Sequence, residues 1–190
     1  MFFAIFSFVR PRFDKCFALG LLSLNICDIF FINYESELNY NCVVLFRTLG
    51  FILISYGFLP KLRNIKFNFV HSIVLLVVLG VSCYLIIELN KMLPSFSIAY
   101  LKNVLFYFYA IVINIVIAIA FYNNSIEGSR KSFYFLNAIL WMLFSDLSYF
   151  VAYDLGFEKF YYIDRFFNIF GLGFLCLYAI TPFAKIPNSL

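Results

Sequence analysis

Two aspartates, Asp28 and Asp146, stand inside stretches that are otherwise apolar over about the 20 residues a membrane span needs. A carboxylate in hydrocarbon costs roughly 2.5–3.5 kcal/mol even on the mildest insertion scale. A chain keeps one there when it is paired, faces a polar cavity or takes part in chemistry. The chemistry open to two such groups is proton transfer. One carboxyl, kept protonated by its apolar surroundings, serves as a general acid. The other, ionised, stabilises a developing cation or activates water. The same residue types also have an ordinary use, as Asp–Arg or Asp–Tyr ties between helices. Two aspartates at one depth with an arginine favour a binding or catalytic pocket over a tie.

The scaffold for these groups follows from composition. Hydrophobic residues make up 64% of the 190 residues and charged residues 13%, with a mean hydropathy of +0.94. A soluble domain of this size is about 45–50% apolar and about 25% charged. The chain therefore reads as all-α, a polytopic transmembrane helical bundle forming a single integral membrane domain over 1–190. Six segments are long and apolar enough to span: 16–34, 42–60, 69–87, 101–122, 132–153 and 166–184. Residues 1–9 are apolar but stop at Arg10-Pro11-Arg12, which is half a span. No period-two alternation suggests a barrel, and no cleavable signal peptide is visible.

Nine of the fourteen basic residues fall on one set of helix ends: Arg10, Arg12, Lys15, Lys61, Arg63, Lys66, Arg130, Lys131 and Lys185. The opposite ends carry Lys91, Lys102, Lys159 and Arg165. By the positive-inside rule the first set is cytoplasmic, as is the C-terminus, in a bacterial cytoplasmic membrane. The net charge of +4 sits in short loops and is no nucleic-acid signal. Five isolated cysteines and a single histidine, His71, exclude a recognisable metal site, and no cofactor is expected.

Orientation turns scattered charges into a constellation. Asp28 and Asp146 occupy matching positions on two outward-running helices. Arg47, five residues into segment 42–60, joins them in the outer third. Asn25 and Glu35 share a face with Asp28, and Tyr149 and Tyr153 share one with Asp146. Ser145 points about 100° away from Asp146 around the helix. A polar pocket with Arg47 and the tyrosines as donors is the reading. Asn114 is expected to make an interhelical hydrogen bond, Gly171 and Gly173 to permit close helix approach, Trp141 to pack at mid-span and His71 to lie at the interface.

Residues 18–30 (ALGLLSLNICDIF) resemble the helix that carries a Gly-Asp pair in the YhhN-type lysoplasmalogenases. Residues 137–147 (NAILWMLFSDL) are similar to the Ser-Asp helix of that family, and 49–58 (LGFILISYGF) fall where it has a His- and Tyr-bearing helix. Order and spacing agree across most of the chain. Cys27 stands at the glycine, Ser55 at the histidine and Phe58 at the tyrosine, and Arg165 replaces a later glutamine. Relatives have eight helices, so 1–9 would be the end of the second. The resemblance implies hydrolysis of the vinyl ether of a lysoplasmalogen, giving a fatty aldehyde and a glycerophospho-headgroup. Asp28 and Asp146 would be the catalytic carboxylates, and Arg47, Asn25, Tyr149 and Tyr153 would bind the substrate, a single-chain lipid entering from the bilayer. Against this stand a scaffold that keeps the fold without the activity, and a lipid-binding or transport module. The latter is disfavoured by the lack of an inverted repeat or broken mid-membrane helix.

Overall fold

In hydrocarbon a backbone amide has no water to bond, so long apolar runs close their hydrogen bonds internally as helices. The computed structural model describes residues 15–30, 37–58, 69–92, 99–153 and 155–181, and no strand occurs among them. Six helices follow in order: α1 (Lys15–Phe30), α2 (Glu37–Tyr56), α3 (Phe69–Met92), α4 (Ala99–Glu127), α5 (Arg130–Tyr153) and α6 (Phe160–Ile180). Four stretches are long and apolar enough to cross a membrane: Leu38–Tyr56, Val104–Glu127, Arg130–Ala152 and Phe160–Ile180. That marks an integral membrane protein. With 16 residues, α1 is about 24 Å long at 1.5 Å per residue, short of a hydrocarbon core of about 30 Å. Within α3 the apolar described stretch is Ser72–Leu85. The expected half-span at 1–9 lies outside the described residues.

Two expected helix starts shift by five residues or more, and both shifts matter. α2 begins at Glu37 and α6 at Phe160, each several residues before the apolar runs that mark them in the sequence. Helical hydrogen bonding does not stop where hydropathy drops, so Asn39, Asn41, Asp164 and Arg165 are helical rather than in loops.

The chain divides into two compact units, Met1–Ile119 and Ala120–Leu190. In the first, α1 and α2 pack as an antiparallel hairpin at van der Waals contact between backbones. A Cβ added at Gly20 would lie 2.7 Å from Ile54 Cγ1 and 2.9 Å from the Gly50 carbonyl oxygen; one added at Gly50 would lie 2.7 Å from Leu24 Cδ2. This approach lets side chains reach the opposite backbone. Ser23 Oγ donates to the Phe46 carbonyl at 2.7 Å, and Cys27 Sγ to that of Val43 at 3.5 Å. Phe30 stacks on Phe46 at 5.6 Å between ring centroids. On α4, Tyr109 meets Phe51 of α2 at 6.2 Å. By contrast α3 presents Leu76, Val77, Val81 and Tyr84 outward, as a lipid-facing helix does.

In the second unit, α5 and α6 form another antiparallel hairpin. Gly171 is its contact point: a Cβ there would meet Met142 Cγ at 2.7 Å and the Ala138 carbonyl oxygen at 3.4 Å. Gly173 has nothing within 4 Å, so the close-packing role expected of both glycines belongs to Gly171. Trp141 packs as expected, 5.3 Å from Phe170 and 5.2 Å from Phe167 between centroids. Phe135 meets Tyr178 at 5.3 Å, and Lys131 Nζ lies 4.8 Å above the Tyr178 ring. The hairpin loop turns at Gly156, whose φ of 75° suits a residue without Cβ.

Only Gly128 and Ser129 separate α4 from α5. Gly128 takes a φ of 53° and donates its N–H to the Asn124 carbonyl at 3.0 Å. Ser129 caps α5 reciprocally with Ser132: the Ser132 N–H donates to Ser129 Oγ at 3.1 Å, and the Ser129 N–H to Ser132 Oγ at 3.1 Å.

The glycines predict an order of sensitivity. Gly20→Ala meets backbone and costs about 1–3 kcal/mol, Gly171→Ala meets a flexible Met142 side chain and costs less, and Gly173→Ala is neutral or slightly stabilising through helix propensity. Thermal unfolding of the three variants in detergent checks that order.

Candidate functional site

The candidate site residues among the described helices fall into two groups, one per unit. In the first unit Asp28 is the third residue from the end of α1 and is half-buried. Asn25, one turn earlier, donates its Nδ2 to the Leu21 carbonyl of its own helix at 2.7 Å. Arg47 is buried at 7% exposure, but it is the eleventh of the 20 residues of α2. The hairpin register sets its depth. Ser23 bonds Phe46 and Cys27 bonds Val43, so Arg47 is level with Ser23, about one and a half turns from Asp28. Arg47 is thus mid-α2 rather than near the start of its helix, because α2 begins five residues before its apolar run. Glu35 lies outside the described residues.

In the second unit Asp146 is half-buried on α5, and Tyr149, three residues on, encloses its hydroxyl within the protein. Tyr153 ends α5, and its side chain lies outside the described residues. The residue turned squarely into the α5–α6 contact is Ser145, with 0% exposure. Its Oγ donates to Asp164 Oδ1 of α6 at 2.5 Å, the short distance typical of a hydroxyl bonded to a carboxylate.

Asp164 is the functional candidate that the apolar-run reading misses. It is the fifth residue of α6 and 3% exposed, a carboxyl group buried within the hairpin. A signal for it exists in the sequence: Asp164, Asn168, Gly171 and Leu175 repeat at i, i+4, i+7 and i+11, and these four are the buried residues of α6. A helical stripe that contains the close-contact glycine points its other members at the same neighbour. The next residue, Arg165, places Nε 3.9 Å from Asp164 Oδ2, an attraction too long for a hydrogen bond. Its guanidinium lies 5.0 Å above the Tyr161 ring. Arg165 thus belongs to a helix, not to the loop that its position before the apolar run suggests.

Chemically, the α5–α6 hairpin sets two carboxyl groups at one level. Asp146 follows Ser145 directly, and Ser145 is bonded to Asp164. Asp28, Asn25 and Arg47 belong to the first unit and Asp146 and Tyr149 to the second. Asn114, expected to bridge helices, donates instead to the Ala110 carbonyl of α4 at 2.8 Å. All five cysteines are free thiols, and no group of metal-ligating residues occurs among the described residues. The chain matches no protein-family model, no curated protein and no solved structure.

Removing the hydroxyl from the Ser145–Asp164 pair leaves a buried carboxylate short of a donor. Ser145→Ala is expected to lower stability by about 1–3 kcal/mol, and Asp164→Asn, which keeps an acceptor for Ser145, by less. The Ser145→Ala/Asp164→Leu double variant recovers part of the loss, because it removes both polar groups. Equilibrium unfolding in detergent reads all three.

Proposed function

We propose that the protein is a membrane-embedded hydrolase that cleaves the vinyl ether bond of lysoplasmalogen-type single-chain lipids. What supports the reading is one observation: a buried carboxyl, Asp164, bonded to the serine that precedes the half-buried Asp146. Vinyl ether hydrolysis needs a proton delivered to carbon and a negative group beside the resulting cation. Asp146, as the acid, protonates the vinyl carbon distal to oxygen, leaving an oxocarbenium ion. The second carboxylate stabilises that ion and takes a proton from the water that adds to it. The hemiacetal so formed collapses to the aldehyde and the glycerol hydroxyl, and the proton returns to Asp146. The logic parallels glycoside hydrolysis, where two carboxyl groups serve a similar cation. Asp28 is the partner in the pairing drawn from sequence resemblance, and Asp164 is the partner that shares a hairpin with Asp146.

In this reading the chain crosses the bacterial cytoplasmic membrane six times, with Lys131 at the cytoplasmic face and Lys159 at the outer one. A cysteine-free background carrying Lys131→Cys or Lys159→Cys tests this. A membrane-impermeant maleimide added to intact cells should label the second and spare the first.

A second reading takes the Ser145–Asp164 bond as a helix tie within a non-catalytic scaffold or a lipid-binding or transport module. Aldehyde release from lysoplasmalogen separates the two. The hydrolase reading expects activity in the wild-type protein and a loss of at least about 100-fold in Asp146→Asn. A comparable loss in Asp164→Asn or Asp28→Asn identifies the partner carboxylate. A well-folded wild type that releases no aldehyde leaves the scaffold.

A further inference from the structure

The headgroup phosphate of a single-chain lipid lies at the membrane–water boundary, and its anchor must be a cation at a helix end. Arg47, one of the substrate-binding residues expected from sequence, is buried at 7% exposure near the middle of α2. Arg165 has the placement that Arg47 lacks. It is the sixth residue of α6, and its side chain is 30% exposed while that of its neighbour Asp164 is 5% exposed. Tyr161, one turn earlier, lies under the guanidinium at 5.0 Å and fixes its plane. A guanidinium presents a rigid fork of N–H donors suited to phosphate oxygens. Its Nε is 3.9 Å from the Asp164 carboxylate, which attracts the guanidinium and helps to hold it at this level of the hairpin.

We propose that Arg165, on its Tyr161 platform, binds the headgroup phosphate of a single-chain phospholipid at the α5–α6 loop end of the second unit. This rests on the lysolipid reading above and names the residue that selects a phosphorylated substrate. The geometry agrees with the substrate's own dimensions. The glycerol backbone between phosphate and ether has a reach comparable to one helical turn, which is about 5.4 Å. The Ser145–Asp164 bond places Asp146 within that distance of the level of Arg165 along the hairpin. Beginning at the next residue and running deeper, the aromatic ridge of Phe166, Trp141 and Phe170 offers an apolar path for the chain, with Trp141 stacked on Phe170 at 5.3 Å.

Trp141 is the single tryptophan of the protein, so its fluorescence reports on this hairpin alone. The test titrates the purified protein in detergent with a dibrominated-chain lysophosphatidylcholine, and separately with a dibrominated monoacylglycerol that lacks phosphate. The expected result is saturable quenching by both lipids in the wild type. Arg165→Gln should raise the Kd for the phospholipid about tenfold and leave that for the monoacylglycerol unchanged. Inorganic phosphate alone at millimolar concentration should not displace the phospholipid. An unchanged phospholipid Kd in Arg165→Gln overturns the proposal. So does an equal loss for both lipids, which marks a packing role, or displacement by free phosphate, which marks a soluble-anion site. The readout is binding, so a protein that binds in this pattern and releases no aldehyde refutes the hydrolase reading while leaving the anchor in place.

Discussion

Hydrocarbon offers no hydrogen-bond partner, and this absence governs where polar side chains of the helices point. Several of the described ones turn back on their own helix. Asn25 bonds Leu21, Thr48 bonds Val44, Asn114 bonds Ala110 and Thr181 bonds Leu177, each to the carbonyl four residues earlier. Ser23, Cys27 and Ser145 reach instead to a second helix. Ser23 and Cys27 end on backbone carbonyls, while Ser145 ends on a carboxylate. The Ser145–Asp164 bond sets a carboxyl group between α5 and α6, and the glycine contacts bring the backbones of α1 and α2 together.

These two solutions depend on the same device, a glycine at the crossing. At Gly20 and Gly50 the missing Cβ brings carbonyls of α2 within reach of the short side chains of α1. At Gly171 it brings α6 against Ala138 and Met142, one turn from Ser145, and that closeness allows a serine and an aspartate with short arms to meet at 2.5 Å. A larger residue at position 171 would separate the pair before it disturbed the aromatic ridge, because aromatic rings tolerate a range of offsets and a hydrogen bond does not.

Much of this was legible in the sequence. Apolar length marks the helices, and the intramembrane charges Asp28, Asp146 and Arg47 stand out against them. Trp141 packs at mid-helix as its surroundings suggest. What hydropathy does not mark is where a helix begins, since backbone hydrogen bonding runs on through polar residues. Starting α2 at the first apolar run places Arg47 too near an end, and starting α6 there leaves Asp164 and Arg165 in a loop. Ser145 and Asp146 pose a related question. The 100° between neighbouring residues on a helix says that one of them faces the contact, and only the packing of α6 says that it is the serine.

The two-residue link between α4 and α5 carries a consequence for how the chain enters a membrane. With only Gly128 and Ser129 between them, the end of one helix and the start of the other emerge on the same side, whichever side that is. Arg130 and Lys131 follow at once on the first turn of α5, so moving this end across the bilayer would drag two cations through hydrocarbon. The reciprocal Ser129–Ser132 cap leaves no slack to unwind first. The shared turn and its two cations therefore stay together on a single face of the membrane.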